Sequence, residues 1–241
     1  MSSHTLSSTG ARHDGVGDAR SVDHPNVSVV LRPLASPVAL GFGGLAVATL
    51  LLSGLQLGWV PVSEGHQVAW ALVVFAFPVQ ILASVFGFLD RDTVVGTGIG
   101  IQGAGWLTIG ALMLAGAPGR RDMVLGLFLF VAAAALLPSV LTSAMSKGIA
   151  AAVMALTSLR WLLTGAYEWV GASPWKEVAG WTGVALCAVA LYAAVALEVE
   201  DQRRHTVLPT LRRGKGWEAI NGDFAAQVER LRQEAGVRQQ L

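Results

Sequence analysis

Apolar and polar positions along this chain fall into six long apolar runs separated by short polar breaks, at about 38 to 57, 68 to 89, 94 to 115, 123 to 144, 148 to 169 and 178 to 199. A helix rises 1.5 Å per residue, so roughly 20 apolar residues cross the hydrocarbon core of a bilayer. Each run meets that length. The sharpest break is Asp90, Arg91, Asp92 and Thr93, where three charges stand between two runs too apolar for water. Such a break predicts a helical hairpin whose turn reaches the surface. The expected fold is therefore all-α, with six transmembrane helices over residues 36–209.

The flanks read differently. Residues 1–35 are rich in Ser, Gly, Asp, Arg and His and carry no apolar run, which predicts a disordered tail and neither a cleavable signal nor a span. Residues 210–241 form a second tail. It holds a basic patch, Arg212, Arg213 and Lys215, followed by Trp217, Ile220, Phe224, Val228 and Leu231 at helical spacing. That spacing predicts an amphipathic helix on the membrane surface or against another subunit. Six spans put both ends on one side. Arg120, Arg121 and Lys176 fall in the breaks of one side, whereas every other Lys and Arg except Arg160 falls on the opposite side. The positive-inside rule then places both termini in the cytoplasm of a multi-pass protein of the cell (inner) membrane.

Composition sharpens this picture. The chain of 241 residues is 53% hydrophobic and 14% charged, against about 25% charged in an average soluble domain. Cys187 is the single cysteine, which excludes an intrachain disulfide and a cysteine metal site. Asp90, Asp92, Asp122, Glu168, Glu177, Glu198, His66 and His205 all lie in breaks or near span ends. No nucleophile with its base and no metal-ligand set is expected inside the spans, so catalysis is not expected, nor a cofactor or metal. The basic tail also carries acids, which argues against nucleic acid as a partner. The lipid bilayer is the partner that composition names.

Three features point to a solute path. Gly96, Gly100, Gly103 and Gly110 share a narrow arc of the third span, a stripe that lets another helix approach closely. Gly98 and Gly105 form a second arc around Gln102, and small residues beside one buried amide predict a lined opening there. Gly98, Gly100 and Gly103 also spell GxGxxG, with Asp122 near the place of a ribose-binding acid, but that reading needs a soluble strand that a spanning run excludes. Arg160 lies about 18 Å along the helix from Gly148, too deep to snorkel. A charge at that depth costs at least about 2.5 kcal/mol, so it is expected to face a cavity or a partner and to mark function. Pro78 and Pro138 free backbone carbonyls inside spans two and four. Trp161, Trp169, Trp175 and Trp181 read as an aromatic belt at one membrane face.

Gln80, Ala83, Thr93, Thr97, Gly103 and Trp106 stand in an ungapped register that resembles the YaaH-like acetate uptake transporters, also called the acetate/succinate permease family. Ser36, Pro37, Leu40 and Gly41 are similar to the signature opening that family's first span. Ala179 to Trp181, Tyr192 and Thr206 to Pro209 resemble its C-terminal end. The resemblance implies a transporter or channel for short-chain carboxylates such as acetate or succinate, facilitated or proton-linked, assembled as a homo-hexamer. It implies a narrow gate at positions matched here by Leu45, Gln102 and Leu159, with Arg160 where a small polar residue is usual. Gln102 replaces a Tyr of that gate and Gly87 a Glu, which predicts a wider opening and no proton carrier of the family's kind in span two. The rival readings are a membrane scaffold or sensor, and an ammonium-type channel on the same fold. The fixed charge of Arg160 argues against both.

Overall fold

The computed structural model describes residues 35–203 and 205–222. The N-terminal tail and the part of the amphipathic helix containing Phe224, Val228 and Leu231 lie outside them. Among the described residues, six helical segments are long and apolar enough to cross a membrane. They are α1 (Val38–Leu57), a second span built in pieces, α4 (Thr93–Ala115), α5 (Met123–Ala144), α6 (Gly148–Val170) and α7 (Ser173–Arg203). The second span contains α2 (Gly65–Ala71) and α3 (Phe77–Leu89), and α8 (Gly214–Asn221) follows the sixth. Among the described residues the secondary structure is helical, apart from one isolated bridge between Lys147 and Arg212.

Both prolines act on their helices, in different ways. Pro78 is the second residue of α3, directly after a π turn at Leu72–Ala76 that widens the helix ahead of the missing N–H. Pro138 sits inside an unbroken α5. Near Pro138 the Ser158 hydroxyl of α6 donates to the Ala133 carbonyl at 2.9 Å. That carbonyl lies one residue before Ala134, whose carbonyl is the one left without its helical N–H by Pro138. Asp92 and Asp122 are the N-caps of α4 and α5, their carboxylates accepting from Val95 N and from Val124 N and Leu125 N.

Packing follows the glycines. The stripe Gly96, Gly100, Gly103 and Gly110 lies against the second span: a Cβ at these positions would meet Phe88, Ser84, Gln80 with Ile81, and Val73 respectively. Gly87, where the resemblance implies a Glu, abuts the backbone of Gly96, and a Cβ there would come within 2.9 Å of the Gly96 nitrogen. This hairpin therefore has no room for the longer residue. The second arc behaves unlike the sequence expectation. Met154 and Ser139 fill the space at Gly98, and the Trp161 ring fills it at Gly105, so no opening is left around Gln102. Elsewhere α1 packs most extensively on α7 and α5 on α6.

One end of the bundle is held by charges and backbone bonds. Lys147 Nζ pairs with Asp92 Oδ2 at 2.9 Å, joining the α5–α6 turn to the start of α4. The segment after α7 docks on the same turn, where Gly148 N donates to Leu211 O and Ile149 N to Thr210 O. Those carbonyls satisfy two of the free N–H groups at the start of α6. Glu200, 2% exposed, accepts from Arg212, Thr206 and Thr210.

Candidate functional site

At the opposite end the helices splay into a cavity of about 240 Å³ between the ends of α1, α4, α5 and α6. Its mouth carries Arg120, Lys176, Asp122 and Glu168, and deeper in it is lined by Leu52, Ile109, Leu129 and Trp161. The charged rim and apolar throat follow from the sequence, since short polar breaks cap long apolar runs. The volume is below the range of pockets for drug-sized ligands, so a solute of few heavy atoms fits. Glu168 Oε2 accepts from Asp122 N at 2.8 Å, which fixes the α5 N-terminus against α6 at the rim.

Trp161 is 1% exposed. It is therefore no part of an aromatic belt, although Trp169, Trp175 and Trp181 are exposed as expected of one. Its ring instead meets Trp106 edge to face, with centroids 6.3 Å apart, and closes the throat of the cavity. Below that pair the interior is packed. Gln80 Nε2 donates to Gly41 O at 3.1 Å and to Gln102 Oε1 at 3.2 Å, and Gln102 Nε2 donates to Thr157 Oγ1 at 3.3 Å. These bonds join α1, α3, α4 and α6 through one chain of buried amides and hydroxyls.

Arg160 is fully buried between α1, α6 and α7. Its Nη1 donates to the Thr49 carbonyl at 2.8 Å and to the Thr49 hydroxyl, and its Nη2 donates to Gln56 Oε1 at 3.1 Å. Gly183 of α7 makes room for it, because a Cβ there would overlap both the guanidinium and Ser53 Oγ. Among the described residues no carboxylate pairs with Arg160. Its link to the cavity is Gln56, which lines the cavity wall.

The residues singled out from the sequence thus separate. Gln102, Arg160 and Leu45 are all buried in the bundle, Gln102 and Arg160 each within a hydrogen-bonded set. Leu159 is 45% exposed and faces outward, away from them, because its neighbour Arg160 takes the inward face of α6. Of the motif residues, Pro37, Gly41, Gln80, Gly103 and Trp106 are buried, whereas Leu40, Thr93 and Thr97 lie exposed on the outer surface and Ser36 is partly exposed. Sequence reasoning missed Gln56 and Glu200. A signal for Gln56 was present: Thr49, Ser53 and Gln56 recur at spacings of four and three on α1, and Thr157, Arg160 and Thr164 at three and four on α6. Two polar stripes at helical period in spans call for each other.

Comparisons with known proteins place this architecture. An uncharacterized protein of Methanothermobacter thermautotrophicus is 25% identical over 194 residues, covering 76% of this chain and 94% of the relative. The solved structure of the bacterial acetate channel SatP matches with a TM-score of 0.65 at 24% identity, covering 74% of this chain and 99% of that one. Residues 21–212 match the GPR1/FUN34/yaaH family, and with most of the chain inside that match, the protein belongs to the GPR1/FUN34/yaaH family.

Proposed function

We propose that this protein is a pathway for short-chain carboxylates across the cell membrane. The observation that carries the reading is Arg160, a guanidinium inside the bundle with no acid paired to it among the described residues, one hydrogen-bonded amide away from a small cavity. A buried cation without a carboxylate is costly unless an anion visits it. At the cavity mouth the cations Arg120 and Lys176 stand beside the carboxylates Asp122 and Glu168, so the preference for anions rests on Arg160. Support also comes from the family and from the likeness to an acetate channel.

The finer terms of the reading are part of the same proposal. Acetate and succinate bracket the substrate size, and the 240 Å³ cavity favours the smaller acid. Both termini are cytoplasmic, so the cavity opens outward, and the packed zone from Trp161 to Gln102 is the closed part of the route. Protomers assemble as a homo-hexamer. Any proton moves on the substrate acid, because Glu200 is held by Arg212 and Glu168 stands at the mouth. The test is uptake of labelled mono- and dicarboxylates into liposomes holding the purified protein. Saturable acetate uptake that propionate and succinate compete with is the expected result. Uptake no faster than in empty liposomes for every acid tried would refute the reading.

A further inference from the structure

A guanidinium has five N–H donors, and Arg160 uses three: two on Thr49 and one on Gln56. Its Nε is buried with no partner. The Nε and Nη2 side of the fork, which can hold a carboxylate through two parallel N–H···O bonds, therefore carries at most one neutral acceptor. Ser53 Oγ, also buried and without a partner, lies with Nη1 over Gly183, on the side of the guanidinium that Thr49 already takes. The unused Nε–H and the remaining N–H of Nη2 leave one edge of an unpaired charge with donors to offer a carboxylate.

Gln56 separates this place from the cavity. Its Oε1 accepts from Arg160, and its Nε2 donates to Thr164 Oγ1 at 3.1 Å. Both Gln56 and Thr164 line the cavity. The amide oxygen is a neutral counterpart of a carboxylate oxygen, held where an anion entering from the cavity would arrive. We propose that Gln56 is a shutter over an anion subsite: a substrate carboxylate replaces its Oε1 at the Nε and Nη2 edge of Arg160, and the amide returns when the anion leaves. The proposal rests on the carboxylate reading above. A charged acceptor bonds roughly twice as strongly as a neutral one, so the exchange favours the anion. The returning amide limits how tightly the anion is held, which a conducting site requires.

The test compares two substitutions with opposite expected signs, each checked for normal assembly by size-exclusion chromatography. Gln56→Glu differs by one atom and supplies a tethered carboxylate, so acetate uptake should fall at least tenfold, and calorimetric acetate binding to the detergent-solubilised protein should vanish. Gln56→Ala removes the shutter and leaves the fork open. It should lower the half-saturating acetate concentration at least threefold. Should Gln56→Ala fail to assemble, Gln56→Ser serves in its place with the same expectation. Equal losses in both variants would make Gln56 a structural tie and overturn the proposal, as would parental uptake and binding in Gln56→Glu. Either result leaves the carboxylate reading standing, because that reading fails only if the parent protein moves no acid.

Discussion

Two arginine sites, one in the clasp that holds one end of the bundle and one deep inside it, show what a charge in this fold is for. Arg212 donates to Glu200, whose carboxylate also accepts from Thr206 and Thr210, so both charges are matched and the hydroxyls complete the set. Arg160 has only neutral oxygens, those of Thr49 and Gln56, and keeps an Nε without a partner. The matched pair lies where the C-terminal segment docks on the α5–α6 turn and the bundle is sealed. The unmatched charge lies beside the cavity. A satisfied ion pair fixes a conformation, whereas an unsatisfied cation keeps an affinity for something that comes and goes.

Exchanging each site for a neutral amide should separate the two roles. Arg160→Gln should reduce acetate uptake by roughly a thousandfold, equivalent to about 4 kcal/mol, with assembly and thermal stability in detergent close to the parent's. Removing an unpaired buried charge does not strand another. Retained uptake would return Arg160 to a purely structural role. Glu200→Gln should do the reverse. Breaking a buried pair by one partner costs about 3 kcal/mol because the other charge is left behind. The melting temperature should drop, while uptake per folded protein stays near the parent level. A variant with parental stability would show that the clasp contributes nothing to the fold.

The fold was legible because its determinants are local in sequence: run length, charged breaks and glycine period. Gly96, Gly100, Gly103 and Gly110 announced a close helix contact, which the structure makes with the second span. The site was legible in its charge and less so in its partners. Arg160 stands out on cost alone, but whether it meets a carboxylate or the Thr49 and Gln56 oxygens depends on how α1 and α6 are rotated about their axes. Their apolar faces do not fix that rotation when lipid is as apolar as leucine. The same ambiguity misplaced two residues. Leu159 was expected at a gate and faces outward, and Trp161 was expected at the membrane surface and closes the cavity throat. A shift of one residue on a helix turns a side chain by about 100°, and resemblance at a position does not carry orientation with it.

The surface pair Lys147 and Asp92 tests how far the logic of the clasp extends. Its side chains are 23% and 27% exposed, so water screens it far more than the Glu200 pair. Asp92→Asn should cost no more than about 1 kcal/mol. Asparagine is also a good N-cap, so α4 keeps its first turn. Thermal melts at low and high salt read this directly: the parent should lose stability with salt and the variant should not. Equal salt dependence in both would remove the pair from any account of this end.

The smallest effect concerns Asp90, next to that pair in a turn whose Arg91 adopts a left-handed conformation, with φ of 60°. Partial burial against the turn raises the Asp90 carboxyl above the usual carboxylate range, the Asp92 and Asp201 charges raise it further, and Lys147 opposes them. The folded protein therefore holds this proton more tightly than the unfolded chain does. Between the ordinary aspartate range and the raised folded value, the folded state binds more protons, so stability falls as pH rises through that window and stays lower above it. Asp90→Asn should flatten that slope and leave the protein slightly more stable at neutral pH, with no change below the window. Asp90 is exposed, so water weakens the effect well below that of breaking Glu200 from Arg212. Thermal stability of parent and variant in detergent, measured from pH 4 to pH 7, checks it. A variant that loses stability at neutral pH would mean that ionised Asp90 serves the turn, and that like charges at this end are tolerated because Lys147 outweighs them.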